Sequence, residues 1–177
     1  GSWKEIADSS TTKIYTIDSG LTGLKEAGNA FVNSIAEGSP TSRIGIKTFH
    51  SNAQDISTLK SAGENRDVLV KDISALRACG GTSPQKGLDL ALKELTDEAN
   101  EASTVPKYVI LFTDGAPSTA EDKSAAELSA QKLREKGIIL YTVGLKLTTA
   151  TETWLSQKIA SEGCALSASS TAGLKDI

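Results

Sequence analysis

Methionine is absent from this 177-residue chain, histidine occurs once, cysteine twice, and aromatic residues make up only 5%. Each scarcity removes a class of function. One histidine, His50, is too few for the commoner metal-enzyme constellations. Cys79 and Cys164 show neither the CxxC nor the Cys/His spacing of a zinc site. Two cysteines are also no disulfide framework, so both are expected as small buried side chains, with a bridge between them left open. No run approaches the ~20 apolar residues of a membrane span and no signal peptide opens the chain, so direct membrane insertion is not expected. A basic stripe is missing as well. Lys+Arg 19 against Asp+Glu 22 gives a net charge of −3, which argues against a nucleic-acid or anionic-membrane partner. Without even an initiator methionine, the chain is expected to be a piece of a larger multidomain protein.

What is present describes an ordinary globular domain. Hydrophobic residues make up 38% and charged residues 23%, and domains commonly run ~100–200 residues. A chain of this size buries roughly 70% of its unfolded surface, so it needs no metal merely to fold. Leu24, Ala27, Gly28, Phe31 and Ile35 recur at helical spacing and predict a helix over 21–36, broken by Gly38-Ser39-Pro40. Residues 43–49 (RIGIKTF) read as a strand, with a short partner over 55–59. Leu69, Ile73 and Leu76 mark a second helix. Ser83-Pro84 reads as N-cap and first helical residue of a third, continued by Leu88, Ala91, Leu92 and Leu95.

The apolar run 107–113 (KYVILFT) reads as a strand covered on both faces, and 138–145 (IILYTVGL) as another. Between them Ala126, Ala130 and Leu133 mark a helix closed by Lys136-Gly137. Trp154, Leu155 and Ile159 predict a further helix, and 164–168 a last strand. Strands alternating with helices predict a doubly wound α/β domain: a mostly parallel central sheet with one short antiparallel edge strand, and helices on both faces. Residues 21–177 are expected to form this domain, preceded by a segment over 1–20.

In such sheets ligands bind beyond the carboxyl ends of the strands. Three strand-end loops stand out: 49–52, Gly80-Gly81-Thr82-Ser83, and Thr113-Asp114-Gly115. Asp114 ends an apolar strand, where low dielectric would make an unpaired carboxylate costly, so a cation or hydroxyl network is expected beside it. The alternative is a plain Asp-Gly turn. The glycine pair permits close backbone approach, and Thr82 offers a neutral oxygen. Neither GxxxxGK[ST] nor GxGxxG is present, so this is no phosphate loop. A hydrolase built on His50 and Asp114 lacks the GxSxG elbow.

Residues 80–88 (GGTSPQKGL), 108–118 (YVILFTDGAPS), 138–145 and 165–177 (ALSASSTAGLKDI), in that order, resemble the von Willebrand factor A domain. Residues 24–32 and 43–53 resemble its first helix and second strand. The resemblance implies a metal-ion-dependent adhesion site in which Mg²⁺, with Ca²⁺ or Mn²⁺ as alternatives, is held by an Asp-x-Ser-x-Ser loop, a threonine and a second aspartate. Thr82 and Asp114 match the last two roles. Hard cations take oxygen ligands, and Mg²⁺ wants about six of them.

Three placements are open for the first loop. Asp8, Ser10 and Thr12 form DxSxT after 3–7, although the Lys4-Glu5 pair suits a buried strand poorly. Residues 13–17 (KIYTI) form a better strand ending at Asp18, but Gly20 then replaces a hydroxyl and only Thr22 remains. Alternatively Gly1-Ser2-Trp3 is a remnant of the loop, and the first strand and aspartate are not in the chain. The resemblance implies a non-enzymatic adhesion module at the cell surface or secreted, binding a protein or matrix ligand through its Asp or Glu. It also allows an intracellular module partnering a AAA+ ATPase, or a metal-free structural domain. A movement of the last helix, 151–162 or 172–177, is a further family expectation.

Overall fold

The computed structural model describes residues 3–6, 14–17, 19–77 and 80–170, with side chains from residue 21 onward. In chain order the elements are β1 (Trp3–Ile6), β2 (Ile14–Ile17), α1 (Ser19–Gly38), β3 (Arg43–Phe49), β4 (Ala53–Ser61), α2 (Arg66–Ala75) and α3 (Pro84–Leu95). There follow α4 (Glu98–Glu101), β5 (Tyr108–Thr113), α5 (Ala120–Glu135), β6 (Ile139–Leu145), α6 (Thr149–Trp154) and β7 (Ala165–Ala168). A π turn over Leu155–Ile159 continues α6. This is the α/β class that the alternating pattern predicts.

Local chemistry explains several boundaries. Gly137 takes φ of +71°, and its N–H donates to the Arg134 carbonyl while that of Ile138 reaches Leu133. Those two bonds satisfy carbonyls that α5 leaves orphaned at its end. Pro84 opens α3, as expected. Ser83 holds the N-cap position, but its side chain makes no cap hydrogen bond. Its backbone N–H is engaged by the His50 carbonyl instead, at 3.1 Å.

Among the described residues, ladder bonds gather the strands into three sheets. β5, β6 and β7 are parallel in that order, β3 and β4 form an antiparallel pair, and β1 pairs with β2. β4 has 9 residues and so runs longer than the predicted 55–59. Both N-terminal candidates for a central parallel strand, 3–7 and 13–17, pair instead with each other, Trp3 opposite Ile17 and Ile6 opposite Ile14. Antiparallel pairing lets two short strands satisfy one another's backbone groups, and β1 keeps its Lys4-Glu5 pair out of the parallel sheet.

Helices cover both faces of the parallel sheet. On one face Leu111 and Leu140 pack with Leu88 of α3, Leu133 of α5 and Ile159 of the π turn. On the other, Val143, Leu145 and Ala168 pack with Ala27 of α1. A third cluster joins Val32 of α1 to Leu69 and Ile73 of α2, backed by Ile44 and Ile46. The three do not merge, because a cleft of about 960 Å³ lies among α1, α3, β3 and β5. The expectation that β5 is covered on both faces holds in part: Val109 and Leu111 pack into the first cluster and Ile110 and Phe112 against the second, but incompletely. Val109, Ile110 and Phe112 are only half-buried and Tyr108 is exposed.

One inward charge holds β3 to α3. Lys47 is 10% exposed and sits 2.7 Å from Asp55 and 2.8 Å from Glu94. Glu94 also accepts from the Leu59 N–H at 2.8 Å. Its second bond means that neither charge is buried without a partner.

Candidate metal centre at the strand ends

The loops after β3, before α3 and after β5 all reach the cleft, whose lining includes His50, Thr82 and Asp114. Backbone and hydroxyl contacts fix two of them together. The Gly81 N–H donates to Ser51 Oγ at 2.9 Å, and Ser83 N–H to the His50 carbonyl at 3.1 Å. Lys86 Nζ closes the arrangement through the Ser51 carbonyl and Asn52 Oδ1 at 3.3 Å. Gly80 is required here. Its φ is +67°, and a Cβ would lie 3.0 Å from Ser51 Oγ and 3.1 Å from His50 Nδ1, a left-handed conformation and a crowding that side chains resist. Gly87, one turn into α3, lets that helix approach the Phe49 ring, which a Cβ would meet at 3.1 Å.

The third loop is shaped by Thr113. Its buried hydroxyl donates to the Gly115 carbonyl at 2.7 Å and accepts from the Gly115 N–H at 3.2 Å. That turn carries Asp114 outward, and its side chain is exposed. The low-dielectric setting expected for Asp114 is thus corrected: the strand ends at the surface and its terminal carboxylate is open to water. Thr82 is half-buried. Residues 32 apart in sequence therefore contribute a hydroxyl and a carboxylate to the lining of one cleft.

The donor chemistry suits a hard cation, since both groups offer oxygen. His50 is less available as a nitrogen ligand because its Nδ1 accepts from the Asn52 N–H at 3.2 Å. Among the described residues no group of three or more His, Cys, Asp or Glu side chains could hold a metal. Thr82 and Asp114 would need further ligands. Asp8, Ser10, Thr12 and Asp18 lie outside the described residues, as do Gly1, Ser2 and 171–177. Thr22 is exposed within α1. Cys164 carries a free thiol, and Cys79 is outside the described residues. Ser51, within the strand-end loop 49–52 that the sequence singles out, braces the glycine loop together with Lys86, which the sequence does not mark.

A model of the von Willebrand factor type A domain matches residues 15–177. Solved structures similar to this chain include the pilus adhesin SpaC from Lactobacillus rhamnosus GG, with a TM-score of 0.76 and 15% identity over 88% of this chain and 26% of that one. The vWF domain of the type V pili tip protein Mfa5 from Porphyromonas gingivalis has a TM-score of 0.75 and 15% identity over 88% of this chain and 84% of that one. Proximal thread matrix protein 1 from the mussel byssus, described with a zinc-occupied MIDAS motif, has a TM-score of 0.70 and 20% identity over 90% of this chain and 41% of its own. At such identities the likeness is one of fold, and the chain spans less than half the length of SpaC and of the mussel protein. The family match takes in both strand-end loops and the parallel sheet beneath them. The chain belongs to the von Willebrand factor type A domain family.

Proposed function

We propose that this domain is a non-enzymatic adhesion or protein-interaction module that binds an acidic group of a partner through a divalent cation, Mg²⁺ foremost. Thr82 and Asp114 would hold the ion, with Asp8, Ser10 and Thr12 as the proposed remaining ligands. When bound, the ion supplies an electrophilic position that a partner's Asp or Glu carboxylate can complete. The chain's own residues do the positioning. The Gly81–Ser51 bond holds the loop bearing Thr82, and the Thr113 hydroxyl shapes the turn bearing Asp114.

The observation that carries this reading is that Thr82 and Asp114, in the loops before α3 and after β5, line the same cleft. The proposed set has only two charged protein ligands, Asp114 and Asp8, which would leave the ion attractive to an incoming anion. Likeness to a pilus adhesin and a pilus tip protein supports a place at the cell surface or outside the cell, within a larger protein.

Calorimetry tests the proposal. Titrating Mg²⁺ into the chain should release heat and raise the melting temperature, and EDTA should reverse both. Asp114→Ala should abolish the heat, and Thr82→Ala should weaken binding by about tenfold, a loss of ~1.4 kcal/mol. Unchanged melting and no heat in the unsubstituted chain would discard the metal-mediated reading.

A further inference from the structure

Threonine on a buried strand carries a hydroxyl that valine, of nearly the same shape, would not. Thr142 of β6 is 0% exposed, and its Oγ1 has no hydrogen-bond partner among the described residues. An interior oxygen left that way is costly, and packing alone does not call for it. Asn29 Oδ1 and Ser57 Oγ are also unpartnered, but neither residue lines a cavity described here. Thr142 does. Its cavity, of about 220 Å³, lies between β6–β7 and the helical turns over 152–156. It shares no residue with the cleft that holds Thr82 and Asp114.

Local folding shapes this space. Thr142 pairs with Ala165 and Gly144 with Ser167, so the four share one face of the sheet. Gly144 presents no side chain there, and a Cβ on it would collide with the Leu147 side chain. Lys146, just before Leu147, takes φ of +52°, a left-handed turn uncommon for a residue with a side chain. On the opposite wall α6 passes into the π turn at Leu155, a geometry frequent at functional sites.

The lining is rich in oxygen and carries one charge. Thr142 gives a hydroxyl at the buried end, and the exposed Ser156 and Ser167 give hydroxyls toward solvent. Glu152, also exposed, supplies a carboxylate, and Leu147 and Leu155 supply apolar wall. No Lys, Arg or His is among the described lining residues, which argues against an anion. A hydrocarbon would leave Thr142 Oγ1 unpaired. A compact ammonium would meet the exposed carboxylate or the buried hydroxyl, which stand at different depths. One water takes ~30 Å³, so the cavity has room for about seven, more than Thr142 alone requires. It is also smaller than the ~300 Å³ at which drug-sized pockets begin. We propose that this pocket binds one neutral sugar unit. Neighbouring hydroxyls of the sugar donate to Glu152 at the mouth, another pairs with Thr142 Oγ1 at the base, and its C–H face rests on Leu147 and Leu155.

The test titrates D-glucose, D-galactose and D-mannose into the isotope-labelled 177-residue chain, followed by NMR. EDTA is present throughout, so the outcome does not depend on a bound cation. At least one sugar should shift the amides of 142, 152–156 and 165–167, saturating at one site per chain. Ethylammonium chloride, the cationic control, should shift them far less. Glu152→Gln and Thr142→Val should each weaken that sugar by about tenfold. Thr142→Val should also keep or raise the melting temperature, since it removes an unpaired buried hydroxyl. A hydroxyl that served only an internal water would give the reverse, a lower melting temperature with sugar binding unchanged. Should Thr142→Val fail to fold, Glu152→Gln, at an exposed residue, still decides. The proposal is overturned by no saturable shift with any of the three sugars, by tighter binding of ethylammonium, or by folded variants that bind as the original does.

Discussion

β5 and β6 are neighbouring strands of nearly the same apolar make-up, and only one of them is sealed. β6 lies between two ladder partners, and Leu140, Thr142, Val143, Gly144 and Leu145 along it are buried. β5 has one ladder partner among the described residues, and its apolar residues at 109, 110 and 112 stay half-buried beside the cleft. Hydrophobic content therefore says how much a strand could bury, while its position in the ladder decides how much it does. The same contrast runs through the whole molecule. One half, built on α3, α5 and the parallel sheet, has a continuous core. The half built on α1, α2 and the β3–β4 pair has a smaller cluster of its own.

The sharpest way to break this comparison is a matched pair of truncations. Leu140→Ala in the sealed half removes a side chain that is 0% exposed, and urea denaturation should show a loss of about 3–4 kcal/mol. Ile44→Ala, on the cleft wall, should cost about 1 kcal/mol, because its side chain is already incompletely surrounded. Equal losses would mean that the two halves are equally packed.

A smaller effect is expected where the halves are tied by charge. Lys47→Met leaves Glu94, 16% exposed, with the Leu59 N–H but without its cation, and should destabilise the domain by about 2–3 kcal/mol. Denaturation at low and at 1 M salt checks the cause. A loss that vanishes at high salt would assign the pair to the surface and not to the interior.

The smallest effect belongs to a fully exposed pair. Lys136 lies 2.8 Å from Glu101, and its hydrogen bond, then its charge, holds the Glu101 carboxyl below the usual range. A depressed folded value means that the pair's contribution is present above the unfolded carboxyl value and is lost as pH falls through the folded one. In Lys136→Gln, the Glu101 titration followed by NMR should move back up toward an ordinary glutamate. Thermal melts at neutral pH should scarcely change.

Much of this architecture was legible in residue order because its signals are local. Lys136-Gly137 ends α5 through the backbone bonds such a pair makes possible, and the apolar run 107–113 marks the strand β5 although not how far it is buried. The division into three sheets was not legible, since ladder pairing joins residues far apart in sequence. Lys47 reads as a surface charge until Asp55 and Glu94 are placed beside it. The short helix α4 was also missed, although Asp97 signals it by accepting the Asn100 N–H at 2.8 Å. Asn100 is then buried, taking a bond from Arg43 and giving one to the Glu94 carbonyl. At the candidate site, strand-end position singled out Thr82 and Asp114. The degree to which Asp114 stands in water depended on how Thr113 folds the turn.

The attachment of the β3–β4 pair has a mechanical consequence. α3 tethers it to the parallel sheet, through Gly87 against Phe49 and Glu94 against Lys47, as α1 does through Ala27 and Val32, and no ladder among the described residues joins the two sheets. A tension that draws the sheets apart would unzip side-chain contacts in succession.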